Sequence, residues 1–318
     1  MTARRAVPIG CAHYLPERIV PNSEFERTLD TSDEWIRSRS GIERRHFAAE
    51  GEATSDLAIA AARSALADAG LDGHDLDAVV LATATPDRTF PATAVTVQHA
   101  IGMRGGFAFD VHAVCAGFII ALGQADAMIR CGQARRVMVI GAETFSRILD
   151  FSDRATCVLF GDGAGALILE ASDSDDPDGP GILATDLHSD GRYTDLLYVD
   201  GGPSTTGNAG VVRMAGQEVF RHAVVKLAET GAAALDRAGL STADVTWLVP
   251  HQANLRIMKM TAQKLGVGLD RVVVTVQEHG NTSAASIPMA LAVARGDGRI
   301  GPGDIVLMEA IGGGLAWG

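Results

Sequence analysis

Ala69-Gly70-Leu71 followed by Ala78-Val79-Val80-Leu81, and Ala238-Gly239-Leu240 followed by Thr246-Trp247-Leu248-Val249, decide the fold. In each stretch a helix-compatible run stops at a glycine, and a short apolar strand follows. Gly70 and Gly239 are 169 residues apart. The echo extends outward. Ile101-Gly102 precedes the strand before Cys115, and Leu265-Gly266 precedes the strand 271–276. Each strand leads to a turn and a helix of small residues, beginning near Cys115 and near Ser283. A further apolar strand comes next, 137–140 and then 305–308.

Such internal order points to two similar halves. Alternating strands and helices predict mostly parallel sheets covered by helices on both faces. The acidic, Pro/Gly-rich run 172–181 reads as an exposed connection. The expected units are therefore 1–172 and 173–318. Cys115 and the turn at Asn281 hold matching places in them, so pseudo-symmetry brings both to one central site.

The chain has 318 residues, 47% of them hydrophobic, with 36 glycines. That is ample for a large core. Aromatic residues make up only 5%, so aliphatic and alanine-rich helices must fill the interior. A formal charge of −12 argues against broad nucleic-acid binding. Cys11, Cys115, Cys131 and Cys157 include no C-x-x-C pair, which suits a reducing compartment. The N-terminus lacks an apolar core of signal-peptide length, and no run approaches the roughly 20 apolar residues of a membrane span. A cytoplasmic protein without membrane contact is expected.

Cys115 lies where a strand hands over to the first turn of an apolar helix. Free N–H groups there favour thiolate, the nucleophilic form; a small buried hydrophobe is the plainer reading. His251, in Pro250-His251-Gln252-Ala253-Asn254, follows a strand end, where α/β sheets bind ligands. Asn281, in His279-Gly280-Asn281-Thr282-Ser283, stands between a strand and a helix whose caps Thr282 and Ser283 would supply. Gly312-Gly313-Gly314 permits close backbone approach, as an oxyanion site requires. Gly161-Asp162-Gly163-Ala164-Gly165 lacks dinucleotide spacing and reads as a packing turn. No motif supports a metal site.

In order and spacing these segments resemble the β-ketoacyl-acyl-carrier-protein synthase III family, the initiating condensing enzymes of the thiolase superfamily. Asp30-Thr31-Ser32-Asp33-Glu34-Trp35-Ile36, Cys115-Ala116-Gly117-Phe118 and Phe160-Gly161-Asp162 carry the resemblance. So do His251-Gln252-Ala253-Asn254-Leu255-Arg256, Gly280-Asn281-Thr282-Ser283 and the glycine triplet. The resemblance implies a five-layered αβαβα fold of two pseudo-symmetric halves, and a homodimer. It implies that Cys115 accepts a short acyl group from acyl-CoA, acetyl-CoA in the initiating enzymes. His251 and Asn281 would act on malonyl-acyl carrier protein, and the backbone N–H groups of Cys115 and Gly313 would form the oxyanion hole. CoA enters as substrate, and no cofactor or metal is implied.

The resemblance also assigns the entrance. Trp35 and Arg154 would sandwich the adenine, with Thr31, Arg39, Asn254 and Gln217 lining the tunnel. The family's usual residue at 217 is asparagine. Thr31 to Glu34 has capping-box spacing for the helix that carries Trp35. Phe90 would cross the dimer to close the acyl pocket, where Ile311 replaces a familiar phenylalanine. Arg256, Arg221, Lys259 and Lys264 would offer the acidic carrier protein a basic spot. Relatives continue past Trp317-Gly318 with a short strand, so either the sequence is trimmed there or the last sheet edge is built differently. The competing functions are a starter-unit enzyme of a specialised polyketide pathway, a degradative thiolase or hydroxymethylglutaryl-CoA synthase, and a catalytically silent scaffold.

Overall fold

A five-stranded sheet carries the first half. Its order is Arg5–Tyr14, Gly163–Ser172, Arg136–Glu143, Ala78–Ala82, Phe107–Val111. The structure is a computed structural model that describes residues 4–172 and 179–318. Most of the acidic connection expected at 172–181 lies outside the described residues.

The sheet is mixed, which corrects the expectation of mostly parallel strands. Ala78–Ala82 pairs in parallel with both its neighbours, whereas Gly163–Ser172 is antiparallel to both of its own. The connection 144–162 explains this. It holds only the one-turn helix Phe145–Ile148, and an antiparallel return needs no crossover helix.

The second half reads the same way across. Val272 bridges in parallel to Leu248 in Trp247–Pro250, which pairs in parallel with Val306–Glu309. That path continues into Ile311–Gly312, antiparallel to Gly314–Trp317, which is antiparallel to His188–Tyr193. Two parallel pairings precede two antiparallel ones in both halves. At the C-terminal end Ala310 and Gly318 exchange backbone hydrogen bonds of 2.9 and 3.0 Å. The last strand is thus paired on both sides, and the backbone there is satisfied.

Helices complete five layers, αβαβα. Thr54–Ala69 turns Leu57, Ala58, Ala61, Ala62 and Ala65 onto the outer face of the first sheet. Gly117–Arg130 and Ser286–Gly296 lie between the sheets. Phe118, Leu122, Ile287 and Ala290 there share one core with Val80, Val139, Val249 and Val273. Gly216–Arg237 and Leu255–Leu265 cover the far face through Leu235, Met258 and Leu265. Each large aliphatic buried this way contributes about 1.5–3 kcal/mol.

Glycine sets how closely the central layer approaches. A Cβ on Gly141 would lie 2.2 Å from Ala284 O, and one on Gly165 would lie 2.7 Å from Met289 N. The segment 161–165 is therefore a packing seam. Among the described residues no helix is long and apolar enough to cross a membrane.

Candidate active site

Cys115 sits in the one-turn helix Val114–Ala116, directly before Gly117–Arg130. Val114 has φ 48°, a left-handed backbone that non-glycine residues seldom adopt. The second half repeats the device in Ser283–Ala285, where Ser283 has φ 49°. Val114 and Ser283 are 169 residues apart, the interval already seen at the glycine turns. The counterpart of Cys115 is therefore Ala284. Asn281 lies just ahead of that turn, which corrects the equivalence read from sequence.

The thiol is buried, and burial pushes it up to about 12; Ser283 opposes this, and the charge of Glu143 adds to it. The expected drift toward thiolate is thus overruled in the resting site, because desolvation outweighs the helix start. Gly312 packs on the same turn. A Cβ there would lie 2.7 Å from Ala113 O and 2.8 Å from Cys115 N. Beside it, a Cβ on Gly313 would lie 2.5 Å from Leu197 O. Any side chain at either glycine would move backbone at the site.

His251 follows the strand Trp247–Pro250 and is held at both ends. Its N–H donates to Glu309 O at 2.8 Å, and its Nδ1 lies 2.7 Å from Ser286 Oγ. Ser286 Oγ accepts from Gln252 N at 3.3 Å and has its own hydrogen to offer Nδ1. With Ser286 donating there, Nε2–H is the donor that the ring has left. Burial holds the ring down to about 3, so it is neutral at physiological pH.

Asn281 is oriented with equal firmness. Its Oδ1 accepts from Ser283 N at 2.9 Å, its N–H donates to Leu159 O, and its C=O accepts from Gly161 N. With Oδ1 engaged, the side-chain NH₂ is the group left to donate. Neither Thr282 nor Ser283 caps the following helix as expected. The cap position is Ala285, Thr282 Oγ1 points to Met289 Sδ, and the Ser283 hydroxyl has no partner among the described residues.

One short turn, 281–286, therefore serves all three candidates. It orients Asn281, it places Ser283 beside Cys115, and its Ser286 fixes His251. Sequence reading quoted Ser283, Ser286 and Gln252 inside motifs but gave none of them this work. Gln252 donates to Pro250 O and Val273 O and accepts from Thr275 N and Val276 N. Glu143 and Glu309, both fully buried, gave no local signal at all.

The comparisons with known proteins fit this geometry. Residues 109–191 and 235–318 match the models "3-Oxoacyl-[acyl-carrier-protein (ACP)] synthase III" and "3-Oxoacyl-[acyl-carrier-protein (ACP)] synthase III C terminal". A beta-ketoacyl-[acyl-carrier-protein] synthase III of Cereibacter sphaeroides is 67% identical over 99% of this chain and 97% of its own. The chain belongs to the synthase III family. The crystal structure of 3-oxoacyl-[acyl-carrier-protein] synthase III from Aquifex aeolicus superposes with TM-score 0.92, at 44% identity over 98% of this chain and 97% of that one. The priming β-ketosynthase of the R1128 polyketide pathway superposes with TM-score 0.93 at 34% identity, over 100% and 96%. The protein is an acyltransferase of the condensing type, in fatty-acid synthesis.

The enzyme gathers most of the predicted entrance residues on one face. The helix Asp33–Ser40 packs on Leu255–Leu265, and a Cβ on Gly41 would lie 2.6 Å from Leu255 Cβ. Trp35 and Leu255, which follows Asn254 directly, thereby pack against one core. The cap of Asp33–Ser40 is Ser32, whose Oγ accepts from Trp35 N at 3.1 Å. The capping box expected from Thr31 is off by one residue. Arg39 and Arg154 both place their guanidinium over Trp35, 4.4 and 4.8 Å from the ring centre. A base between Trp35 and Arg154 needs two stacking gaps of about 3.5 Å each, so Arg154 must swing outward to admit one. Thr31 Oγ1 is buried without a partner among the described residues. Gln217 is exposed in the first turn of Gly216–Arg237.

The remaining assignments separate. Arg221 is paired with Glu218, which reduces its value as a free cation. Arg256 lies over Phe220 at 5.6 Å and Lys259 is exposed one turn on. Lys264 is in the last turn of its helix, about 12 Å further along the axis than Arg256. Ile311 is buried with Ala223, Leu227, Ile257 and Leu315. Phe90 is 82% exposed, so within one chain it closes no pocket.

Proposed function

We propose that this chain loads a short acyl group, acetyl in the first instance, from acyl-CoA onto Cys115 and condenses it with malonyl-acyl carrier protein. The 281–286 turn, which serves Cys115, His251 and Asn281 together, is the observation that carries this reading. Cys115 sulfur attacks the thioester, and the oxyanion forms against the backbone N–H groups of Cys115 and Gly313. CoA departs and the malonyl thioester enters. His251 Nε2–H and the Asn281 amide donate to its carbonyl oxygen as carbon dioxide leaves. The resulting carbanion attacks the acyl-Cys115 carbonyl and releases the 3-oxoacyl product.

Decarboxylation supplies the nucleophile, so the scheme asks for no metal or redox cofactor. Thr31, Trp35, Arg39, Arg154, Gln217 and Asn254 receive CoA. Arg256 and Lys259 receive the carrier protein, and Arg221 and Lys264 contribute less. Units 1–172 and 173–318 form the two halves. The exposed Phe90 supports a homodimer in which it caps the acyl pocket of its partner beside Ile311. Working in the cytoplasm suits four free cysteines. A primer screen with malonyl-carrier protein, followed by mass measurement of the Cys115 peptide, tests the reading. Acetyl on Cys115 and a four-carbon 3-oxoacyl product are expected; exclusive use of long or aromatic primers would overturn the acetyl assignment.

A further inference from the structure

Glu143 ends the strand Arg136–Glu143 and is completely buried. Its carboxylate accepts from Thr85 Oγ1 at 2.7 Å, from Ala84 N at 3.1 Å to each oxygen, and from Thr83 Oγ1 at 3.3 Å. The turn Ser283–Ala285 lies against this strand at Gly141 and against the Cys115 turn. Ser283, in that turn, bears on both the carboxyl and the thiol. Its hydroxyl is completely buried and within interaction reach of both groups, yet it makes no hydrogen bond of ordinary geometry among the described residues. A buried hydroxyl with an unused donor and unused lone pairs is costly to keep.

We propose that Ser283 relays the Cys115 proton to Glu143, which holds it while the acyl group rides on the sulfur. The step balances. Cys115 gives its proton to Ser283 Oγ as Ser283 gives its own to a Glu143 oxygen. The freed sulfur pair forms the bond to the acyl carbon, and the carbon–sulfur bond to CoA breaks. CoA leaves as thiolate and takes a proton from water. When the carbanion later displaces Cys115, the sulfur recovers its proton from Glu143 by the same path. Glu143 acts through Ser283 and is a positioning residue. Its burial raises it to about 7, against the opposing bonds from Thr85, Ala84 and Thr83 and the influence of the nearby Ser283 hydroxyl, so it is able to hold a proton at neutral pH. Glu143 is also the charged group that bears on Cys115. A carboxylate that only tied the 83–85 loop to the sheet would leave Ser283 without a task.

The inference rests on Cys115 as the acyl carrier, and the experiment separates the two. Full-length protein is alkylated with iodoacetamide across the neutral range and read on the Cys115 peptide, because Cys131 is exposed. Acyl loading from acetyl-CoA is timed in a single turnover. In Ser283→Ala and in Glu143→Gln, loading should slow roughly 10²-fold, and the near-neutral inflection of Cys115 alkylation should vanish. Ser283→Ala keeps the Cβ and strands no partner, so it folds even if Glu143→Gln does not. A wild-type alkylation profile in Ser283→Ala, with Cys115→Ala unable to load, overturns the relay alone. Loading that survives Cys115→Ala overturns the nucleophile beneath it.

Discussion

The turns Val114–Ala116 and Ser283–Ala285 have one backbone and two chemistries. Both start on a non-glycine residue at φ near +48°, and both precede a helix of the central layer; the first follows the strand Phe107–Val111, the second the short helix Val276–His279. One carries a thiol and the other an alanine. The alanine sits in a close seam: its carbonyl would lie 2.2 Å from a Cβ on Gly141, so that position must stay glycine. What the second turn loses at its tip it gains at its flanks, where Asn281, Ser283 and Ser286 line up on the site. On the proposed mechanism the halves divide into a covalent half and a donor half.

Moving the thiol is the hardest test of that division. Cys115→Ala should lower acyl transfer on the order of 10⁴-fold or more, the scale for removing a covalent nucleophile. Ala284→Cys added to it should restore nothing, as judged by the mass of the acylated peptide. Acyl loading at position 284 in that double variant would show the halves to be interchangeable.

The donor half comes next. His251→Ala and Asn281→Ala should still accept acetyl, yet release carbon dioxide from malonyl-carrier protein about 10²–10³-fold more slowly. Normal condensation in either variant would end the proposed division of labour. The pH dependence has a definite sign. His251 must be neutral and its folded value is about 3, so decarboxylation should not decline from pH 8 to pH 5. Stability behaves differently, because the unfolded imidazole takes up its proton near 6.5. The contribution of His251 is complete above that pH and shrinks as pH falls toward about 3.

Asn254→Ala is milder. Its side chain caps Leu255–Leu265 by accepting from Ile257 N at 2.9 Å. Thermal unfolding should report a loss of about 1 kcal/mol, and the Michaelis constant for acyl-CoA should rise as well. A stability loss without that rise would remove Asn254 from the entrance.

Glu309 supplies the smallest expected effect at low pH. Both its oxygens are buried without a partner among the described residues, and burial raises it to about 8. A carboxyl raised in the fold contributes stability below its unfolded value near 4.5, and loses it as pH rises through about 8. Glu309→Gln should therefore unfold like wild type at pH 5 and be more stable by about 1–3 kcal/mol at pH 9. Denaturant melts at the two pH values check this. An equal gap at both would show that the carboxyl is satisfied.

The sequence by itself pointed to a repeated order of elements, to Cys115, His251 and Asn281 as candidates, and to the glycines behind them. Those features are local: a glycine stop, a strand run, or a residue type that chemistry requires in a turn. Tertiary structure alone decided which strands run antiparallel, that the counterpart of Cys115 is Ala284, and that Ser286 meets the His251 ring at Nδ1. It also buried Glu143 where its charge bears on a thiol that burial keeps protonated. These depend on distant segments coming together, the Ser283 turn on the Cys115 turn, or His251 on Glu309. Burial and hydrogen-bond reach exist only once the two sheets have closed on the central helices.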